Sequence, residues 1–83
     1  MICMYFTYII QSDADGRYYF GSTSDLEKRI KHHNDGISRH TRKYRPWRLV
    51  WCGAFGTRKK AEDFELYLKS GSGYAFSRKR LIG

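Results

Sequence analysis

Tyr8, Tyr19, Arg29, His33 and Glu65 are the side chains of this sequence whose types and spacing can do chemistry together. Hydrolysis of a phosphodiester needs an activated water, positive charge against the phosphorane oxygens and help for the departing oxygen. Tyrosine and histidine can exchange the protons. The planar fork of Arg29 matches phosphate oxygens. Glu65 offers a hard carboxylate to Mg²⁺, which often keeps most of its waters, so one protein ligand can hold it. A tyrosine with its ordinary pKa of ~10 acts as a base only if cations lower it, and Arg29, His33 and a metal are such neighbours.

Each residue alone has an ordinary explanation. Glu65 and Lys69 are spaced for an i,i+4 surface pair, and Glu62 and Asp63 are equally available carboxylates. Arg29 can pair with Asp25 in the same way. His33, beside His32, suits a helix end that favours positive charge. Tyr8 and Tyr19 suit a half-buried sheet. What sets the five apart is their mutual dependence.

The elements that must position them follow from pattern. Residues 4–11 are β-branched and aromatic, as a strand requires. Asp13 to Gly16 is turn chemistry, with Gly16 free to take positive φ, and Arg17 to Ser22 resumes a strand. The pair reads as an antiparallel hairpin. If Tyr8 lies opposite Tyr19, or two places off, both leave the same face; a slip of one would part them. Ser24-x-x-Glu27 has the form of a capping box, which predicts a helix from about Asp25 to Asn34 that stops at Gly36. Leu26 and Ile30 form its buried stripe, and Arg29 and His33 share the adjoining one. Pro46 bars a helix interior in the irregular basic stretch before the third strand. That strand, Leu49 to Phe55, is apolar enough to be central or covered on both faces. Thr57 caps a second helix that runs to about Ser70 and ends at Gly71, with Ala61, Phe64 and Leu68 buried. A short basic segment with Arg78, Lys79 and Arg80 forms a final helical turn. The order β-β-α-β-α predicts an α+β domain built on a three-stranded mixed or antiparallel sheet with helices packed against it, and strand order stays open.

Eighty-three residues make a single domain, 1–83, with a small core. Sixteen Lys and Arg against eight Asp and Glu give a formal charge of +8, which points to a polyanionic partner. The bases are interleaved with aromatics, and no helix pairs a strongly apolar face with a basic back. Nucleic acid is therefore favoured over membrane. Arg39, Arg42, Lys43 and Arg45 form the basic loop expected to hold phosphates. Trp47 or Tyr44 can stack there on an unpaired base, or Trp47 can anchor the loop from beneath. Cys3 and Cys52 lack metal-binding spacing and read as buried free thiols. No signal peptide or apolar run of ~20 residues occurs, so a cytoplasmic location is expected.

Phe6-Thr7-Tyr8, ten residues, Tyr19-Phe20-Gly21-Ser22-Thr23, then Leu26-x-x-Arg29-x-x-x-His33, and later Ala61-x-x-x-Glu65 with Leu68-Lys69 resemble the GIY-YIG nuclease domain. The Tyr44-Arg45-Pro46-Trp47 run agrees. The resemblance spans about Tyr5 to Arg80 and is strongest to small stand-alone bacterial members. It implies a three-stranded antiparallel sheet flanked by helices and a divalent-metal-dependent endonuclease acting on DNA, using Mg²⁺ or Mn²⁺, with repair or recombination as its setting. It also implies roles: Tyr8 and Tyr19 are the two motif tyrosines, Arg29 the phosphate-contacting helix arginine, His33 the position one turn later, and Glu65 the metal ligand. Tyr8 is favoured as the base, with Tyr19 and His33 assisting. The triplets here are Phe-Thr-Tyr and Tyr-Phe-Gly, which keep both hydroxyls. Ser22 stands where some branches carry a lysine. No added specificity domain is expected, so structure outranks sequence as the preference. The rivals are a non-catalytic nucleic-acid-binding module, a nuclease acting on RNA, and an adaptor for an acidic protein.

Overall fold

A computed structural model describes residues 4–82. Two strands, β1 (Tyr5–Ser12) and β2 (Tyr18–Thr23), precede helix α1 (Leu26–Asn34). A 3₁₀ turn (Arg42–Tyr44) leads into β3 (Trp47–Phe55), followed by α2 (Arg58–Lys69), α3 (Gly71–Ser77) and a wide helical turn (Arg78–Ile82). The sheet is antiparallel throughout, in the order β2-β1-β3. The α+β class and the element order thus match the sequence reading, the expected basic turn is the one at Arg78–Ile82, and α3 is a further helix that was not expected.

β1 is the central strand, so its backbone is paired on both sides and its side chains are covered on both faces. Thr7, Ile9 and Ile10 are completely buried, and Tyr8 nearly so. On one face Tyr8 and Ile10 pack with Trp47, and Tyr19, Leu26, Ile30 and Tyr44 close the cluster. On the other face Thr7 donates its hydroxyl to the Ala61 carbonyl at 2.7 Å, which docks α2 on the sheet. The third strand was expected to be central or covered on both faces; it is an edge, and Leu49 is 41% exposed on it. Its apolar run instead serves both layers. Ile9 pairs with Trp51 and Ile10 with Leu49, leaving Val50 as a bulge. Trp47 and Trp51 would share a face in a regular strand; the extra residue turns them to opposite faces. Trp51 accordingly meets Phe64 of α2, with ring centroids 5.7 Å apart.

The helix ends follow local chemistry. Asp25, not Ser24, caps α1, its carboxylate accepting from the Lys28 N–H at 3.1 Å, so the S-x-x-E frame is off by one residue. At the other end Gly36 takes φ +78° and donates to the His33 carbonyl, while Ile37 donates to the His32 carbonyl. That is the paired closure a positive-φ glycine permits. The Asn34 amide then grips both the N–H and the carbonyl of Trp47, at 2.6 and 2.9 Å, fixing the end of α1 against β3. Thr57 caps α2 as expected. Gly71 does not end the chain's helical path: Ser70 closes α2 and caps α3 with the same side chain. Cys52 is exposed rather than buried, because an edge strand leaves part of its length uncovered, and Cys3 lies outside the described residues. No helix among the described residues is long and apolar enough to cross a membrane.

Candidate active site

The hairpin register decides which tyrosines meet. Tyr8 pairs with Gly21 and Ile10 with Tyr19, so the two tyrosines stand two places off and leave the same face. Their ring centroids are 6.5 Å apart. The Tyr8 ring lies across Gly21, where a Cβ would stand 2.5 Å from its Cζ and closer still to its hydroxyl. Only a residue without a side chain fits beneath it.

His33, in the last turn of α1, closes this group. Its Nε2 is 2.9 Å from the Tyr8 hydroxyl, and its Nδ1 is 2.7 Å from Oγ1 of Thr41. The Tyr19 ring meets the imidazole edge-on at 5.1 Å. Tyr8 and His33 are each only 1% exposed, and Thr41 is fully buried. Burial pushes His33 down to about 4, with the positive charges of Arg29 and His32 adding to it. The ring is therefore neutral at neutral pH and carries one proton. Either Tyr8 donates to Nε2 while Nδ1–H donates to Thr41, or Thr41 donates to Nδ1 while Nε2–H donates to Tyr8.

The protein's own groups shift the Tyr8 hydroxyl away from tyrosinate rather than toward it. Burial pushes its pKa up to about 12 and Tyr19 adds to the rise, while Arg29 pulls it back only in part. His33, being neutral, gives no cationic help.

Glu65 sits on the sheet's other face. Its Oε1 accepts from the Ser22 hydroxyl at 2.7 Å, and its Oε2 pairs with Lys69 at 2.6 Å. Both the surface pair and a fixed carboxylate are thus present, with the Glu65 side chain 19% exposed. Ser22 faces this way because it pairs with Thr7, one residue out of step with Tyr8 and Gly21. A cavity of ≈ 310 Å³ opens beside it, lined by Ser22, Thr23, Ser24, Arg29, Arg58 and Glu62 among others. Arg29 is exposed and takes no part in the ion pairs among the described residues, since the Asp25 carboxylate is committed to the helix cap.

The five residues divide between two layers. Arg29 lines the cavity, Glu65 stands next to its Ser22 wall, and Tyr8, Tyr19 and His33 form a covered layer behind, on the opposite sheet face. The two layers still act on each other, since the charges of both Arg29 and Glu65 are felt at the Tyr8 hydroxyl.

No group of three or more His, Cys, Asp or Glu among the described residues forms a metal cage. A single carboxylate with one oxygen steadied by a hydroxyl fits a hydrated Mg²⁺ or Mn²⁺, which needs few protein ligands, provided that the exposed Lys69 ammonium gives up the other oxygen.

Arg39, Arg42, Lys43 and Arg45 are exposed on the connection between α1 and β3. Trp47 is not available to nucleic acid. It is 4% exposed in the core, with its indole N–H on the Thr41 carbonyl at 2.8 Å, so the anchor role replaces base stacking. Tyr44 is half-buried and covered by the Arg17 guanidinium, 3.5 Å above its ring. Sequence reasoning missed Ser22 as the partner of Glu65, Thr41 as the partner of His33, and Arg58. The pairing of Ser22 with the strand face opposite Tyr8 was the available signal for the first; a lone threonine in a basic loop gave none for the second.

Residues 4–77 match the family model described as the GIY-YIG catalytic domain. The chain is 38% identical over 66 residues to the UPF0213 protein YazA of Bacillus subtilis, covering 78% of this chain and 66% of that one. It is 39% identical over 67 residues to the UPF0213 protein CPE1444 of Clostridium perfringens, covering 80% and 71%. It is also 35% identical over 68 residues to the structure-specific endonuclease subunit SLX1 homolog 1 of Trypanosoma cruzi, covering 76% of this chain but 13% of that protein. The solution structure of the UPF0213 protein BH0048 from Bacillus halodurans superposes with a TM-score of 0.59 at 31% identity, over 96% of this chain and 87% of the other.

Proposed function

The chain belongs to the GIY-YIG catalytic domain family, and on that premise we propose that it is a divalent-metal-dependent endonuclease that hydrolyses phosphodiesters in DNA. The observation that carries this reading is the Ser22-held Glu65 carboxylate beside an arginine-lined cavity, with a hydrogen-bonded Tyr8–His33–Thr41 chain behind it. Selection by DNA structure rather than sequence draws support from the name of the Trypanosoma cruzi relative, a structure-specific endonuclease subunit.

Arg29, with Arg58 across the cavity, binds the scissile phosphate and offsets charge on its oxygens. Glu65 would hold Mg²⁺ or Mn²⁺, which supplies further positive charge for the phosphate and the departing oxygen. Tyr8 takes the proton of the attacking water on its oxygen as its own proton leaves for Nε2 of His33. With Tyr8 held neutral, this hand-over makes the hydroxyl a base without forming tyrosinate. Thr41 accepts from Nδ1 and keeps Nε2 free to receive. Tyr19 packs against the imidazole and holds its plane. Because Tyr8 is 1% exposed, DNA binding has to open the α1–β2 edge before water reaches it. The loop bases Arg39, Arg42, Lys43 and Arg45 hold flanking phosphates.

The Lys69 ammonium on Oε2 of Glu65 favours a second reading, a nucleic-acid-binding module that keeps the scaffold without chemistry. Incubation of the purified protein with nicked, branched and linear DNA, with and without Mn²⁺, separates the two. Metal-dependent nicks that vanish in Glu65→Ala support the enzyme; binding without any cleavage, unaltered by metal, supports the module.

A further inference from the structure

The aromatic faces expected to stack bases in the basic loop are both covered, Trp47 by the core and Tyr44 by Arg17. Open aromatic surface lies elsewhere. A groove of ≈ 400 Å³ runs between the free edge of β2 and α3, lined by Arg17, Tyr18, Phe20, Tyr74 and Arg78, with Asp15 and Gly16 at its end. Its size falls in the range of about 300–1,000 Å³ common for ligand sites. Tyr74 is 43% exposed. Phe20 meets it edge-on at 6.3 Å, which fixes the plane of the ring. Arg78 stands 5.8 Å from the Tyr18 centroid and 5.9 Å from that of Tyr74, a cation shared by two rings. The one acid in the groove is neutralised, since Asp15 is paired with Arg17 at 2.7 Å.

We propose that this groove is a subsite for single-stranded DNA, in which an unpaired base stacks on Tyr74 while Arg78 takes the adjoining phosphate. The inference rests on the nuclease reading for its polarity and extends it to the substrate. Flat aromatic faces bind any base, and cations beside them track the backbone, which is the combination single-strand sites use. Continuity with the reactive layer comes from the strand. Tyr18, Phe20 and Ser22 alternate onto one face of β2, and Ser22 holds Glu65. Four residues of strand span about 13 Å, or about four stacked nucleotides at ~3.4 Å each and fewer if the strand is extended. An unpaired base in the groove therefore lies a few nucleotides from a phosphate beside Arg29. The substrate so selected is a duplex with a single-stranded flap, not a plain linear duplex. No hydrogen bond of the sheet occupies the outer edge of β2, so the strand can lie along it.

The test is binding in the absence of divalent metal, which separates it from cleavage. Fluorescent oligothymidine, a blunt duplex and the same duplex with a single-stranded flap are titrated with wild type, Tyr74→Ala, Tyr74→Phe and Arg78→Ala, each checked for folding by circular dichroism. Tyr74→Ala and Arg78→Ala weaken oligothymidine and flap binding by roughly tenfold, as loss of one stacked base does, leave the blunt duplex within about twofold, and Tyr74→Phe retains binding. Equal losses on all three DNAs, or no loss on oligothymidine, overturn the subsite whatever the cleavage assay gives. A change of oligomeric state in Tyr74→Ala also overturns it, since the groove would then be a contact between copies. Absence of metal-dependent cleavage with the binding pattern intact would end the nuclease reading and leave the subsite standing.

Discussion

The Tyr8 hydroxyl and Nε2 of His33 lie 2.9 Å apart, each group only 1% exposed to solvent. Neither is charged at neutral pH, because burial moves the tyrosine up to about 12 and the histidine down to about 4. The pair is thus a buried hydrogen bond between two neutral groups.

Stability should fall with pH in a window set by His33. Its pKa in the folded protein, about 4, is below the ordinary 6.5 of the unfolded chain. The unfolded chain therefore binds more protons between those values. The contribution is complete above about 6.5 and is lost as pH falls toward about 4, to the extent of roughly 3 kcal/mol at most. Urea unfolding of wild type and His33→Asn across that window reads it. The stability gap between the two should narrow as pH falls; a constant gap would contradict the buried neutral imidazole.

Gly21→Ala should displace the Tyr8 ring, since the new methyl meets Cζ and the hydroxyl of Tyr8 directly. The expected cost is about 1–3 kcal/mol of stability, as for other overpacked sites, together with loss of any Tyr8-dependent activity. Thermal unfolding and cleavage assays measure both. A variant as stable and active as wild type would show that the ring has another place to go.

Ser22→Ala leaves Glu65 in place but frees its Oε1. Mn²⁺ affinity should weaken by roughly tenfold or more, as when a hydrogen bond that orients a metal ligand is removed, with DNA binding unchanged. Calorimetric titration with Mn²⁺ tests this; unchanged metal affinity would remove Ser22 from the site.

The sequence carried the fold further than it carried the site. Period-two alternation and turn chemistry placed the hairpin, and the allowed two-place offset of Tyr8 and Tyr19 is the one found. Depth was less legible. Leu49 to Phe55 is apolar enough for a central strand, yet the Val50 bulge lets an edge strand serve two layers, which composition does not reveal. For Trp47 the sequence left base stacking and anchoring of the loop both open, and the partners that decide for the anchor, Asn34 and Thr41, follow no local pattern. The same holds for the proton affinity of Tyr8. Counting cations nearby points down, whereas burial, which depends on the whole packing, wins and points up.

DNA affinity should fall steeply as salt rises, because phosphates neutralised by the loop release counterions. Arg42→Ala and Arg45→Ala, both changes of exposed residues, should each lower affinity about equally for all sequences and make the salt slope shallower by about one unit. Fluorescence anisotropy at several salt concentrations measures this. Losses confined to particular sequences would mean the loop reads bases rather than phosphates.

The most direct measurement is the single-turnover rate on nicked or branched DNA with Mn²⁺ for wild type and Tyr8→Phe. That substitution removes one hydroxyl, and with it the 2.9 Å contact to His33, while keeping the ring that fills the core. The account predicts metal-dependent cutting by wild type and a rate lower by at least ~10²-fold in Tyr8→Phe, the usual loss for a positioned acid–base group, with DNA affinity retained. Equal rates in the two proteins would contradict it and make Tyr8 a packing residue.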